Sequence, residues 1–294
     1  MRDASFKAGP GGLLFADIAN DFATATVCLQ GAHLTHWQPR SQAAPVIFMA
    51  AAAQYAPGKA IRGGIPLCWP WFGPHEADPS QPSHGFARTA TWQAQGMLRL
   101  DNGATQLRLG LSDDAASRAR WPHAFQLDYE ITVGETLELS LVTTNTGPAA
   151  FRVGEALHSY FNVGDIESSR VLGLDGVTFE DKVTHGQRRT QAGAIGFGTE
   201  VDRLFVDTAA ACTLLDVSMQ RRIHITKTGS RSTVVWNPGY DKASRMADLG
   251  VAPAGSGSWR QMICVESANA ADNQVTVAPG QSHRLGVVYR VDAL

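Results

Sequence analysis

Apolar and polar residues alternate in short runs along most of the chain. Gln126–Val133 reads Gln-Leu-Asp-Tyr-Glu-Ile-Thr-Val, and Thr136–Val142 repeats the two-residue period. That period is the signature of a half-buried strand. Gly134-Glu135 lies between the two runs, so the pattern predicts a hairpin with a two-residue turn. Its register puts Leu137, Leu139 and Leu141 on one face and the Glu and Ser residues on the other. Further strands are predicted at Thr24–Leu29, Arg222–Lys227, Thr233–Trp236, Gln261–Val265, Gln274–Val277 and Arg284–Tyr289. Helical periodicity is scarce. Asp113–Arg120 suits a turn or two of helix, with Asp113 or Ser112 as its cap. Many short strands with Gly- and Pro-rich connections predict an all-β protein, an antiparallel sandwich or barrel.

No repeat and no linker divides the 294 residues, and a single domain over 1–294 is expected. Gly250–Ser258 reads as a surface loop. Apolar residues make up 44% and charged residues only 18%, below the usual quarter, which fits a compact globular chain. Net charge is near −2 and no basic stripe is present, so nucleic-acid and membrane-surface roles have no electrostatic support. Met1–Phe15 lacks the apolar core of a signal peptide, and no apolar run is long enough to span a bilayer. A cytoplasmic location is expected. Cys28, Cys68, Cys212 and Cys264 are widely spaced, without a CxxC pair, and read as buried reduced thiols rather than metal or redox motifs.

Three segments depart from strand-and-turn composition. Ile61–His75 holds Arg62, a Gly pair, three prolines and Trp69, Trp71 and Phe72. Such a stretch cannot be one regular strand. It either fixes a chain crossing in the core or lines a concave site with aromatics. Ser83–Arg88 adds His84 and a second guanidinium, Arg88, in another Gly-containing loop. Two arginines suit forked recognition of phosphate or carboxylate, although surface ion pairing is the commoner use of such residues. Gly154–Asp165 carries His158 between Leu157 and Tyr160-Phe161. Glu266 ends the apolar run Met262–Val265. A lone strand histidine is more often a hydrogen-bonded core residue than a catalyst, whereas a buried carboxylate has to be paired or functional. His33 and His36, three residues apart in a strand, fall on opposite faces and are not expected to share a metal. His75, His123, His185, His224 and His283 have no carboxylate or Cys partner at metal spacing.

These segments resemble the aldose 1-epimerase family, and most of all its hexose-6-phosphate mutarotase branch. The resemblance rests on Arg62-Gly63-Gly64-Ile65-Pro66 with Trp69-Pro70-Trp71-Phe72-Gly73, on His84-Gly85-Phe86-Ala87-Arg88, and on Leu157-His158-Ser159-Tyr160-Phe161. Asp202-Arg203, Trp236-Asn237-Pro238-Gly239 and Cys264-Val265-Glu266 follow in the family's order. It implies a large antiparallel β-sandwich of the galactose-mutarotase type, a cofactor-free and metal-free isomerase, and a monomer whose partner is a small sugar phosphate. It also implies roles: His158 and Glu266 as the catalytic pair, Asp202 at the sugar hydroxyls, and Arg62 and Arg88 at the phosphate. His84 and Trp71 are further expected substrate contacts. One departure is Ser83, where some members carry Gln. The alternatives are a mutarotase of unphosphorylated aldoses, a non-catalytic carbohydrate-binding sandwich, and a glycoside hydrolase using Asp202 and Glu266.

Overall fold

The computed structural model describes residues 6–250 and 258–294. Two eight-stranded sheets dominate. One runs Gln187–Thr190, Thr178–Asp181, Val201–Phe205, Ser232–Asn237, Met262–Asn269, Glu155–Leu157, Leu67–Cys68, with Tyr160–Asn162 also paired to Met262–Asn269. The other runs Ser169–Leu172, Cys212–Asp216, Arg221–Thr228, Ser282–Ala293, Leu137–Asn145, Phe125–Val133, Thr105–Ser112, Gln93–Arg99. Neighbouring strands pair antiparallel in both. The N-terminal strands form a four-stranded sheet, and Phe151–Val153 pairs with Val275–Val277.

The alternating pattern explains how the sheets stack. Leu127, Tyr129, Ile131, Leu137, Leu139 and Leu141 are buried and share one apolar cluster with Leu214, Ile223 and Val287 of their own sheet. The same cluster includes Leu157, Phe161, Phe205, Val235 and Val265 of the first sheet. Odd-numbered positions of Met262–Asn269 therefore turn into the sandwich. Even-numbered ones, Met262, Cys264 and Ala268, belong to a separate cluster on the sheet's other face, with Tyr160, Leu204, Val234 and Trp236. That second face carries the site.

Two local expectations are corrected. Val133 pairs with Leu137, so the hairpin turn has three residues, Gly134–Thr136, and Gly134 N donates to Thr136 O at 2.9 Å. The helix spans Ala115–Arg120 and its cap is Asp114, not Asp113 or Ser112. Asp114 Oδ1 accepts from Ser117 N at 2.7 Å while Ser117 Oγ accepts from Asp114 N at 2.8 Å, a reciprocal box. Asp113 is engaged instead with Phe125 N and Arg118. The four cysteines are free and buried. Most of the expected loop at Gly250–Ser258 lies outside the described residues. Among the described residues no helix is long and apolar enough to cross a membrane.

A buried ion pair ties the two sheets. Glu155 Oε1 lies 2.9 Å from His283 Nε2, and Asn269 Nδ2 donates to the same carboxylate oxygen at 2.9 Å. Burial works against the His283 charge, but the bond to Glu155 outweighs it and the imidazole is held above its ordinary pKa of 6.5. The protonated form is therefore favoured by folding. Its contribution is complete below pH 6.5 and is lost as pH rises through the folded value. His283→Ala should cost on the order of 2–3 kcal/mol at pH 6, the low end for a broken buried pair because the ring is partly exposed. Urea unfolding at pH 6 and pH 9 should show the gap to wild type narrowing at the higher pH. A gap that does not change between the two would remove the ion-pair account.

Candidate active site

Strand register builds the site. Leu157 pairs with Ser267 and Tyr160 with Cys264, so His158 stands directly across from Glu266. Val234 pairs with Glu266 and with Leu204, and Trp236 pairs with Cys264 and with Asp202. Two parallel rows result: His158, Glu266, Val234, Leu204, and beside it Tyr160, Cys264, Trp236, Asp202. Side chains in such rows stand about 5 Å apart on one face. All of them but the buried Cys264 line an open cleft of about 540 Å³, which Arg62, Phe72, His84, Lys182 and Lys242 line as well.

His158 Nε2 lies 3.4 Å from Glu266 Oε1. His158 lies in the break between Glu155–Leu157 and Tyr160–Asn162, where Ser159 N donates to Leu157 O at 2.9 Å, and its imidazole stacks on Tyr160 with ring centroids 4.8 Å apart and planes 6° from parallel. Arg62 Nη1 donates to Tyr160 Oη at 3.0 Å and Nε donates to Asp248 at 2.8 Å. Burial opposes the Arg62 charge, but Tyr160 and Asp248 outweigh it and hold the guanidinium above its ordinary value. Among the described residues, Arg62 Nη2 has no protein acceptor.

Both central groups are perturbed, chiefly by burial. Glu266 is 2% exposed; desolvation, helped by the Asp202 charge, raises its pKa well above the ordinary carboxyl value, and Arg88 opposes this. His158 is driven well below its ordinary value by desolvation, then by His84, Arg88 and Arg62. Each charge is disfavoured alone, and at 3.4 Å the two groups titrate as a coupled pair. A neutral carboxyl with a neutral imidazole has the same proton count as a carboxylate with an imidazolium. Glu266 Oε2 and His158 Nδ1 are buried without a hydrogen-bond partner, which leaves the pair under-satisfied until something polar enters the cleft. Asp202 sits two strands over, raised to about 6 chiefly by burial, with Lys242 3.9 Å away.

The two Gly-containing loops interlock to hold His84. Trp69 N donates to His84 O, and Phe86 N donates to Trp69 O. Gly85 has φ 73°, and a Cβ there would lie 1.9 Å from Trp69 O, so no other residue fits. Gly73 N donates to His84 Nδ1 at 3.3 Å. Burial and the neighbouring arginines push the His84 pKa down to about 3, so the ring is neutral, and Nδ1 as acceptor leaves the proton on Nε2. Its ring centroid is 5.8 Å from that of His158.

Of the residues singled out by sequence, Arg62, His84, His158, Asp202 and Glu266 line this one cleft. Arg88 and Trp71 are not among its lining residues. Arg88 Nη2 donates to Ser83 O at 2.6 Å, and its charge is felt by both His158 and Glu266. Trp71 Nε1 donates to Pro82 O, and the ring packs on His75 and Phe86. Beyond the strand that ends at Cys68, Trp69 packs on Phe125 in the inter-sheet core, Trp71 turns to Phe86, and Phe72 faces the cleft against His84. Ser83 is exposed and does not line the cleft. Tyr160 and Lys242 were not singled out. Tyr160 is deducible from its place two residues after His158. Lys242 is not, because it reaches the rim only through the turn Trp236–Gly239. There Asn237 Oδ1 accepts from Gly239 N, and Asn237 Nδ2 donates to Trp259 O and Met262 O.

A cleft on a β-sandwich face, floored by a buried imidazole and carboxylate and rimmed by polar groups, is suited to acid–base chemistry on a small polar substrate. The chain belongs to the aldose 1-epimerase family, whose model matches residues 16–290. A Salmonella typhimurium protein, described as a candidate glucose-6-phosphate 1-epimerase, is 36% identical over 251 residues, 85% of this chain and 81% of that one. An Escherichia coli K12 protein with the same description is 33% identical over 88% of this chain and 84% of its own. The crystal structure of the candidate mutarotase YeaD from Salmonella typhimurium superposes with a TM-score of 0.87 at 33% identity, covering 96% of this chain and 91% of the other. The architecture is thus the antiparallel sandwich of the galactose-mutarotase type, and the chain is an aldose epimerase.

Proposed function

We propose that the chain interconverts the α and β anomers of a hexose 6-phosphate, glucose 6-phosphate above all, with Glu266 and His158 as the proton-transferring pair. The cross-strand pairing of these two side chains in one cleft carries the reading. Glu266 takes the proton of the anomeric hydroxyl while His158 gives one to the ring oxygen. The bond between C1 and the ring oxygen breaks and the C1=O1 double bond forms. Rotation about C1–C2 then turns the other aldehyde face inward. On closure His158 recovers its proton from the C5 hydroxyl and Glu266 returns one to O1. The pair begins and ends with the same single proton. A positioned acid or base typically contributes about 10²–10⁴-fold. Neutral His84, with Nε2–H as donor, and Asp202 are assigned to sugar hydroxyls, and Phe72 to the sugar face.

The relatives' descriptions and the cationic rim support the phosphate. Arg62 is assigned the direct contact through Nη2, with Arg88 behind it. Lys182 and Lys242 also face the cleft, each already paired with a glutamate. Phosphate held far from C1 would anchor the sugar while its ring is open. A charge-assisted hydrogen bond is worth about 1.5–3 kcal/mol, or roughly 10–100-fold. Arg62→Ala should lower kcat/KM for glucose 6-phosphate by about that factor relative to the same variant on glucose, and Arg88→Ala, which acts by charge without lining the cleft, by less. Equal losses on both sugars would remove the phosphate assignment and leave a mutarotase of free aldoses.

A further inference from the structure

We propose that the floor of the cleft is also a binding site for a thiophilic divalent cation of the zinc class, held by His158, Cys264 and Glu266, and that its occupation blocks mutarotation. One ligand atom from each of these buried residues lies within 4.8 Å of the other two. The backbone explains why. Cys264 and Glu266 are i and i+2 on one strand face, and His158 faces Glu266, so a donor more than a hundred residues away meets the other two on one face of the sheet.

The distances fit such an ion. A tetrahedral zinc with N and O ligands at about 2.0–2.2 Å sets them about 3.3–3.4 Å apart. His158 Nε2 and Glu266 Oε1 are 3.4 Å apart, too long for a good hydrogen bond. A partnerless buried polar atom on one of the three residues, Glu266 Oε2, points to a ligand independently. A thiolate, a carboxylate and a neutral imidazole around a dication sum to zero charge, which suits a buried floor. The thiol proton, and any proton on Glu266, leave to solvent; nothing is oxidised or reduced. Thiolate and imidazole donors select zinc over magnesium or calcium. The fourth position opens into the cleft, as in open zinc sites. The ion would occupy both groups that transfer protons, so it acts as an inhibitor competing with sugar. The site stands whichever sugar the enzyme prefers.

The test uses the full chain stripped with EDTA and titrated with ZnCl₂ alone, with CoCl₂ as the spectroscopic probe and MgCl₂ as control. One zinc per chain is expected, with a thiolate-to-cobalt charge-transfer band and no comparable magnesium binding. Cys264→Ser and Cys264→Ala should each weaken zinc at least tenfold and abolish the band. Zinc should also slow anomer exchange at least tenfold, reversibly with EDTA, each variant being compared with its own metal-free rate. Absence of stoichiometric zinc binding, absence of the cobalt band, or unchanged affinity in both Cys264 variants would overturn the site. These binding readouts do not depend on the sugar, so they stay informative if the hexose-phosphate reading fails.

Discussion

Glu266→Gln is expected to lower anomer exchange on glucose 6-phosphate by about 10³-fold, within the range for a positioned proton-transfer group. The substitution keeps shape and volume and removes only the capacity to take a proton. The fold should not suffer. Glu266 is buried, its Oε2 has no partner, and desolvation already disfavours its charge. A buried carboxylate of this kind costs stability unless it is paired, so the amide should melt at the same temperature as wild type or higher. Loss of activity together with retained or raised Tm is the signature of a functional rather than structural carboxylate. Activity near wild type, or a large drop in Tm, would place Glu266 among structural groups.

His158→Ala is the second large effect, again about 10³-fold. In the proposed mechanism the ring is the acid toward the ring oxygen, and no neighbour is suited to replace it. His84 is the nearest imidazole, but burial and the arginines hold it near pKa 3, far too weak a base to carry a proton at neutral pH. The Tyr160 hydroxyl is held above its ordinary pKa by burial and accepts from Arg62, so it is a poor proton donor. The truncation leaves an imidazole-sized gap against the Tyr160 ring. Added imidazole should therefore restore part of the lost rate, while circular dichroism stays that of the wild type. Anomer exchange measured by NMR saturation transfer reads both effects.

Much of the fold was legible because the two-residue period of Phe125–Val133 and Leu137–Asn145 is set by local chemistry: every buried position is apolar along the first strand and up to Leu141 in the second, where Thr143 and Asn145 follow. The capping residue was misplaced by one or two positions because Ser112, Asp113 and Asp114 all offer an oxygen. Only the tertiary contact of Asp113 with Phe125 N decides between them. The site was legible in part. The ordered motifs named His158 and Glu266, but their meeting depends on register between strands more than a hundred residues apart, which no local pattern encodes. Trp71 illustrates the limit: composition marks an aromatic-rich loop, yet the irregular path of that loop sends Trp69 and Trp71 away from the cleft and Phe72 toward it. Arg88 shows the same limit, since a guanidinium can act on a site by charge without lining it. Cys264 read as a buried thiol and is one; its place beside two other ligand atoms comes from the sheet, not from its sequence neighbours.

The joint action of the two groups has its most direct test in a double-mutant cycle on anomer exchange, comparing Glu266→Gln, His158→Ala and the double variant with wild type. Groups that work as one unit lose most of their effect with the first removal. The double variant should therefore be no more than a few-fold slower than the worse single variant. Losses that multiply to the full product, or a wild-type rate in either single variant, would contradict a shared proton-transfer step at this pair.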